Sequence, residues 1–372
     1  MKIAEFGIEN WLNQWEKSAK YDISQSTIKS MSVAELLKVN GDNEQALTEQ
    51  LLNTQMNYGW IEGSPEFKQL VSQMYHHVKP NQVLQTNGAT GANYLALYSM
   101  IEPGDHVISE YPSYQQLYDI PRSLGADVDL WRIHESDHWR PDIDELKKLI
   151  RPNTKMICLN NANNPTGTLL DYEFMQQVVD IAASVGAYVL VDEVYLPLDH
   201  PEAFTSIIDM YDRGIVTNSL SKSFSFPGVR IGWVIANDEV TDIFRKYRDY
   251  TMICGGVWND ILAVYILQHQ DQVLAHNQKL VLHDLEIFKN WVDQEPRVSV
   301  ILPQAVSTSC IKLDIPESTE SFCLRLLKET GVLLVPGERF DLPGYARLGY
   351  CTDETTLKTG LKKLSAFLRQ FD

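Results

Sequence analysis

Positive charge is scarce in this sequence. Its 32 lysines and arginines face 49 aspartates and glutamates, a net charge of −17. Such a surface repels phosphate backbones, so nucleic acid is not an expected partner. Paired cysteines are lacking too. Cys158, Cys254, Cys310, Cys323 and Cys351 are scattered, with no Cys-x-x-Cys spacing. That excludes a disulfide scaffold and suits free thiols in a reducing compartment. No apolar run reaches the roughly 20 residues of a membrane span. Met1 to Ala19 mixes acids, amides and tryptophans, without the apolar core of a secretion signal. A soluble protein of the cytoplasm is expected, with no membrane partner. No Gly-Lys-Ser/Thr follows Gly88-Ala89-Thr90, so a Walker phosphate loop is excluded. His134 and His138 lie four apart but flank acidic residues in an expected turn, and no metal is predicted.

Apolar residues make up 44% of the 372 positions, enough for one large domain or two packed ones. From about Pro65 to Asn237 the pattern alternates. Helices are expected over Glu66–His77, from Gly91 to Ile101, over Asp142–Ile150 and over Asp171–Ser184. Strands are expected over Gln82–Thr86, His106–Ser109, Met156–Leu159, Tyr188–Val191, Ile215–Ser219 and Val229–Ala236. Short apolar strands separated by helices imply an α/β fold: a mostly parallel sheet sandwiched by helices. Ligands of such sheets bind beyond the carboxyl ends of the strands.

After Asn237 the rhythm changes. Helices are expected over Asp238–Tyr250, Asn259–Val292, Thr319–Glu329 and Asp353–Gln370. Strands are expected over Val298–Leu302, Cys310–Leu313, Val332–Val335 and Ala346–Leu348. The division predicted is a large α/β domain over 38–257 and a smaller α+β domain from 1–37 plus 258–372. Ile8, Trp11, Leu12 and Trp15 have helical spacing. They form either an arm that docks on a neighbour or an amphipathic helix on the chain's own small domain.

Three clusters sit at expected strand ends: Asn164-Pro165-Thr166-Gly167, Asp192-Glu193-Val194-Tyr195 and Ser219-Leu220-Ser221-Lys222. A lysine held in place with a lowered pKa forms a Schiff base with an aldehyde cofactor. An acid beside a pyridine nitrogen keeps it protonated, which makes the ring an electron sink. Asp192 suits that role, and Tyr195 and Asn164 could donate to the ring's phenolic oxygen. Each cluster alone reads as an ordinary turn or cap. Their combination in this order is what points to the cofactor. Ala89 and Thr90, between a strand and a helix, offer free N–H groups to a phosphate. Ser219, Ser221 and Arg230 would add hydroxyls and a charged fork. The alternatives are a polar loop for the serines and a surface salt bridge for Arg230. Tyr114 either stacks on the ring or simply opens a helix. Arg347 stands among apolar residues and needs a partner. A substrate carboxylate fits it bidentately, and an internal ion pair is the alternative.

Taken together, these motifs resemble those of class I/II aminotransferases, pyridoxal-phosphate enzymes of fold type I, from about Tyr58 to Arg347. The resemblance implies that Lys222 holds the cofactor and shuttles the proton. Asp192 then pairs with the ring nitrogen, and Tyr195 and Asn164 bond the phenolic oxygen. Tyr114 stacks on the ring, while Ala89, Thr90, Ser219, Ser221 and Arg230 hold the phosphate. Arg347 takes the α-carboxylate of an amino acid or 2-keto acid. Tyr58, in Tyr58-Gly59-Trp60, resembles the tyrosine that reaches the neighbouring subunit's phosphate, which implies a homodimer with shared sites.

Two departures stand out. The stretch Tyr21 to Ser26 lacks the family's usual glycine, and Gln69 or a neighbour stands where an arginine is usual. With Trp11 to Ser26, they are similar to capreomycidine-synthase-like members, which cyclise an arginine derivative. A C–S lyase is a further alternative on the same residues. A non-catalytic, pyridoxal-binding regulator is the alternative of another class. Strong negative charge and the short stretch before Tyr58 argue against it.

Overall fold

The computed structural model describes residues 2–42, 44–198, 201–304 and 306–372. Its strands, in chain order, are β1 (Tyr21–Asp22), β2 (Val83–Thr86), β3 (His106–Tyr111), β4 (Asp127–Arg132), β5 (Thr154–Asn160), β6 (Tyr188–Asp192) and β7 (Gly214–Ser219). They continue with β8 (Gly232–Ile235), β9 (Val298–Val300), β10 (Thr308–Leu313), β11 (Val332–Leu333), β12 (Val335–Pro336) and β13 (Tyr345–Gly349).

The main sheet has seven strands in the order β2-β8-β7-β6-β5-β3-β4. Strands β7, β6, β5, β3 and β4 run parallel, and β8 is antiparallel to both its neighbours. The central strands are buried along almost their whole length and carry apolar runs, Met156–Leu159 and Val189–Val191, because helices cover both faces. Ile157, Leu159, Val189 and Val191 pack with Phe174 and Val178 on one side. Met156, Cys158 and Leu190 pack with Leu95, Leu97 and Phe244 on the other. Each such side chain contributes roughly 1.5–3 kcal/mol by leaving water. Helix ends are written locally. Asp171 caps Tyr172–Val185 by accepting from the Phe174 N–H, and Gly186, at φ 72, ends it.

This topology positions the site. The carboxyl ends of β2, β3, β5, β6 and β7 share one edge with the amino end of antiparallel β8. The segments leaving them carry Ala89 and Thr90, Tyr114, Asn164, Asp192 and Tyr195, and Ser219 to Lys222. Arg230 lies just before β8.

The second unit holds the antiparallel sheet β12-β13-β10-β9 and the parallel pair β1-β11. The helix Gly7–Trp15 belongs to it: Ile8 and Trp11 are buried in its core with Phe322, Leu326 and Val335. The Trp11 indole donates to the Leu334 carbonyl at 2.9 Å. The amphipathic pattern is thus satisfied within the chain. Segment 23–26 runs against β13, where the Gly349 N–H donates to the Ile23 carbonyl at 3.0 Å.

Several elements differ from expectation. The strand expected from Val229 begins at Gly232, because Pro227–Val229 turns as a 3₁₀ segment and Arg230 is left-handed at φ 55. The helix expected to reach His77 ends at Ser72. The long helix expected over 259–292 is two, Val257–Gln268 and Gln270–Val292. At the break, His269 Nδ1 lies 2.8 Å from the Tyr265 carbonyl, a ring competing for a backbone acceptor. The strand expected over Val332–Val335 is split, since Val332 and Leu333 pair with β1 and Val335 pairs with β13.

Candidate active site

A cavity of about 520 Å³ opens at the shared strand edge. Every residue expected from the sequence to hold cofactor or substrate lines it, except Tyr58.

Lys222 reaches it from the loop after β7. Its Nζ donates to Ser26 Oγ at 2.7 Å and lies 5.9 Å from the centre of the Tyr195 ring. Burial, reinforced by the Arg347 charge, pushes the amine down to about 8. An appreciable fraction is therefore the neutral nucleophile near neutral pH. Asp192, the last residue of β6, is buried. Its Oδ2 accepts from Asn93 Nδ2 at 2.7 Å, and Asn93 Oδ1 accepts from Thr217 Oγ1 at 2.6 Å. Burial pushes the carboxyl up to about 6, against the Asn93 and Val194 hydrogen bonds and the Lys222 charge. It remains mostly ionised at pH 7. Burial raises the Tyr195 hydroxyl to about 12, opposed by Ser26 and Arg347. It stays protonated, a donor without a partner of normal geometry among the described residues.

An anion cradle lies beside them. The helix Gly88–Met100 starts at the cavity, and its N-cap Asn87 makes no side-chain cap. The first-turn N–H groups of Ala89 and Thr90 are thus free for a ligand. Gly88 is left-handed, at φ 68, and a Cβ there would meet Arg230 Nη2 at 2.7 Å. The guanidinium therefore lies directly over this turn. Ser219 and Ser221 close the cradle, with the Ser221 N–H donating to Ser219 Oγ at 3.2 Å.

Arg347, on β13, is 2% exposed. Its Nη2 donates to the Ser24 carbonyl at 2.8 Å, and Nη1 donates to Asn164 Oδ1 at 3.4 Å. No carboxylate among the described residues pairs with it, so the internal ion pair is absent. Burial lowers its pKa yet leaves it charged. A buried guanidinium without a counter-ion is costly unless an anion arrives.

Tyr114 lies in the wall, its ring 5.3 Å from that of Phe6. Tyr58 is apart. It is 78% exposed, beside a second cavity lined by Trp60, Val257 and Ile261. Leu52, Met56 and Trp60, on the same stretch of chain, are exposed as well, as are Tyr250 and Ile253 on the segment before Val257. The Trp258 indole, donating to the Leu51 carbonyl at 3.0 Å, links these two parts of the chain.

Three wall or supporting residues escaped the sequence reading: Glu9, Ser26 and Asn93. Asn93 had a signal. It is the one amide on its helix, four residues after Ala89 and so on the same face. Ser26 had only its place in the stretch Tyr21 to Ser26, and Glu9 had none, because the folding of the N-terminal segment brings them here.

Comparison with known proteins agrees with this geometry. The family model for aminotransferase class I and II matches residues 25–364. The crystal structure of a PLP-dependent aminotransferase from Streptococcus suis 89-1591 is 55% identical. It superposes with a TM-score of 0.96 over 100% of this chain and 99% of that one. An aspartate aminotransferase of Thermotoga maritima is 30% identical over 78% of this chain and 76% of the relative. A capreomycidine synthase of Streptomyces vinaceus is 26% identical over 96% of this chain and 92% of the relative. The chain belongs to the class I and II aminotransferases, a family of pyridoxal-phosphate-dependent enzymes.

Proposed function

We propose that this protein moves an amino group from an amino acid to a 2-keto acid by a ping-pong mechanism in which Lys222 is the proton carrier. The observation that carries the proposal is the buried Arg347, without a counter-ion among the described residues, in the same cavity as Lys222 and Asp192.

The residues present fit pyridoxal phosphate. The uncapped helix start under Arg230 suits its phosphate, and the buried, ionised Asp192 suits its ring nitrogen. The unpartnered Tyr195 hydroxyl suits its phenolic oxygen. When bound, the cofactor supplies an electron sink for the pair left at Cα. Arg347 grips the α-carboxylate and fixes Cα beside Lys222. Lys222 Nζ, freed beside Cα, would be the base that takes the Cα proton and the acid that gives it back. Asp192 would hold the ring nitrogen in its protonated form. Tyr195 and Asn164 donate to the phenolic oxygen, and Tyr114 covers the ring. Ala89, Thr90, Ser219, Ser221 and Arg230 bind the phosphate. The proposed division, 38–257 against 1–37 plus 258–372, places Lys222 and Arg347 in different units. One unit then holds the substrate while the other performs the chemistry.

We assign the exposed Tyr58 region to a homodimer interface, with Tyr58 of the partner subunit completing the phosphate site. Its apolar area supports this. Five free cysteines, four of them buried, support work in the reducing cytoplasm. Cyclisation is the second reading, favoured by the near full-length match to a capreomycidine synthase. A C–S lyase would use the same residues.

The test is a spectral screen. Purified holoenzyme is mixed with each common amino acid, and a 2-keto acid acceptor is then added. The expected result is a change in cofactor absorbance with at least one amino acid, and acceptor-dependent keto-acid release that Lys222→Ala abolishes. Full turnover by Lys222→Ala would overturn the proposal.

A further inference from the structure

The cavity wall carries five charged residues: Glu9, Asp192, Lys222, Arg230 and Arg347. The reading above uses four of them. Lys222, Asp192 and Arg230 serve the cofactor, and Arg347 serves the α-carboxylate. Glu9 is left over, and it makes no hydrogen bond or ion pair with any described residue.

Its position is built. On the helix Gly7–Trp15, Ile8 and Trp11 face the small-domain core, while Glu9, Leu12 and Asn13 fall on the adjoining face and line the cavity. The helix is tied down at its start and at its middle. The Gly7 N–H donates to Gln115 Oε1 at 2.8 Å, and the Trp11 indole donates to the Leu334 carbonyl. The Glu9 charge is felt across the cavity, at Lys222, Arg347, Tyr195 and Tyr114.

An amino acid whose side chain ends in a carboxylate would meet Glu9 and find no spare cation among the described residues of this wall. One whose side chain ends in an ammonium or guanidinium would pair with it. We infer that Glu9 is the specificity residue of this site and selects amino acids with cationic side chains. This rests on the proposed role of Arg347 in holding the α-carboxylate, and it names the substrate class that reading leaves open.

The experiment uses holoenzyme and two readouts. Spectral titration of the cofactor gives apparent affinity, and keto-acid release with an acceptor gives kcat and KM. L-Ornithine, L-lysine and L-arginine are compared with uncharged L-norleucine and with L-glutamate. The wild type should favour the cationic set over norleucine by about tenfold or more, as expected for a partly desolvated charge pair. Added salt should narrow the gap. Glu9→Gln should collapse the ratio, through affinity and KM rather than kcat, and Glu9→Arg should turn the preference toward glutamate. A wild type that prefers glutamate, or a ratio that Glu9→Gln leaves unchanged, overturns the inference. Cationic binding lost in Glu9→Gln, but with no keto acid formed by either protein, would refute transamination and leave the selection standing. Keto acid formed without cationic preference would do the reverse.

Discussion

At the scale of single residues, the amine of Lys222 is set by what surrounds it. Its pKa near 8 has two consequences for titration. The neutral amine is the form that captures an aldehyde, and its share grows as pH rises. Attachment of added pyridoxal phosphate to the apoprotein should therefore accelerate up to about pH 8 and level off above it. Stopped-flow absorbance checks this, and a rate still climbing tenfold per unit at pH 10 would mark an unshifted lysine. Asn93 acts on Asp192 in a comparable way. Its hydrogen bond favours the ionised carboxylate. Asn93→Ala should raise the Asp192 pKa further, move the acid limb of the kcat profile to higher pH, and cost about tenfold at pH 7. A profile that does not move assigns Asn93 a packing role alone. The residues legible in the sequence were those in short motifs at strand ends. Asn93, Ser26 and Glu9 lie outside those motifs, and long-range contacts bring the first two to the site: Asn93 meets Asp192 across 99 positions and Ser26 meets Lys222 across 196.

At the scale of elements, the site depends on how closely β8 approaches the start of the helix Gly88–Met100. A Cβ at Gly232 would lie 2.5 Å from Gly88 C and 2.6 Å from the Asn218 carbonyl oxygen, both backbone atoms. Neither can swing aside, so Gly232→Ala must push the phosphate turn away from β7. The expected outcome is about 1–3 kcal/mol of lost stability and at least tenfold weaker cofactor binding. Thermal unfolding and cofactor titration measure the two. Element by element, the central strands were legible because four-residue apolar runs have few other uses in an α/β chain. Strand β4 was not. It alternates Asp127, Val128, Asp129 and Leu130 at the sheet edge, where one side meets water. The helix Val33–Asn40 was spelled out by a capping box, Ser32 with Glu35, that the reading passed over. The break at His269 has no glycine or proline to announce it, and it depends on a side-chain contact formed only in the fold.

At the scale of the whole molecule, one chain presents an almost complete site and, away from it, an exposed apolar region around Tyr58. If that region seats a second copy, defects in different subunits must complement. Lys222→Ala and Tyr58→Ala should each be impaired as homodimers, the second through cofactor affinity. A mixed dimer holds one site with both defects and one with neither. Unfolding and refolding the two variants together should recover about half of the wild-type activity per mixed dimer. No recovery would show that each chain completes its own site. The expectation of a dimer came only through resemblance, since composition says nothing about which exposed aromatics would meet a partner.

The central claim is that Lys222 returns the proton so that the amino group stays with the enzyme. The direct measurement is the keto acid released per active site when holoenzyme meets its amino acid with no acceptor present. One equivalent is expected, then a halt that a second 2-keto acid relieves. Continued release of keto acid and ammonia without an acceptor would contradict it and assign the cavity to elimination. A cyclised product with no keto acid at all would assign it to ring closure.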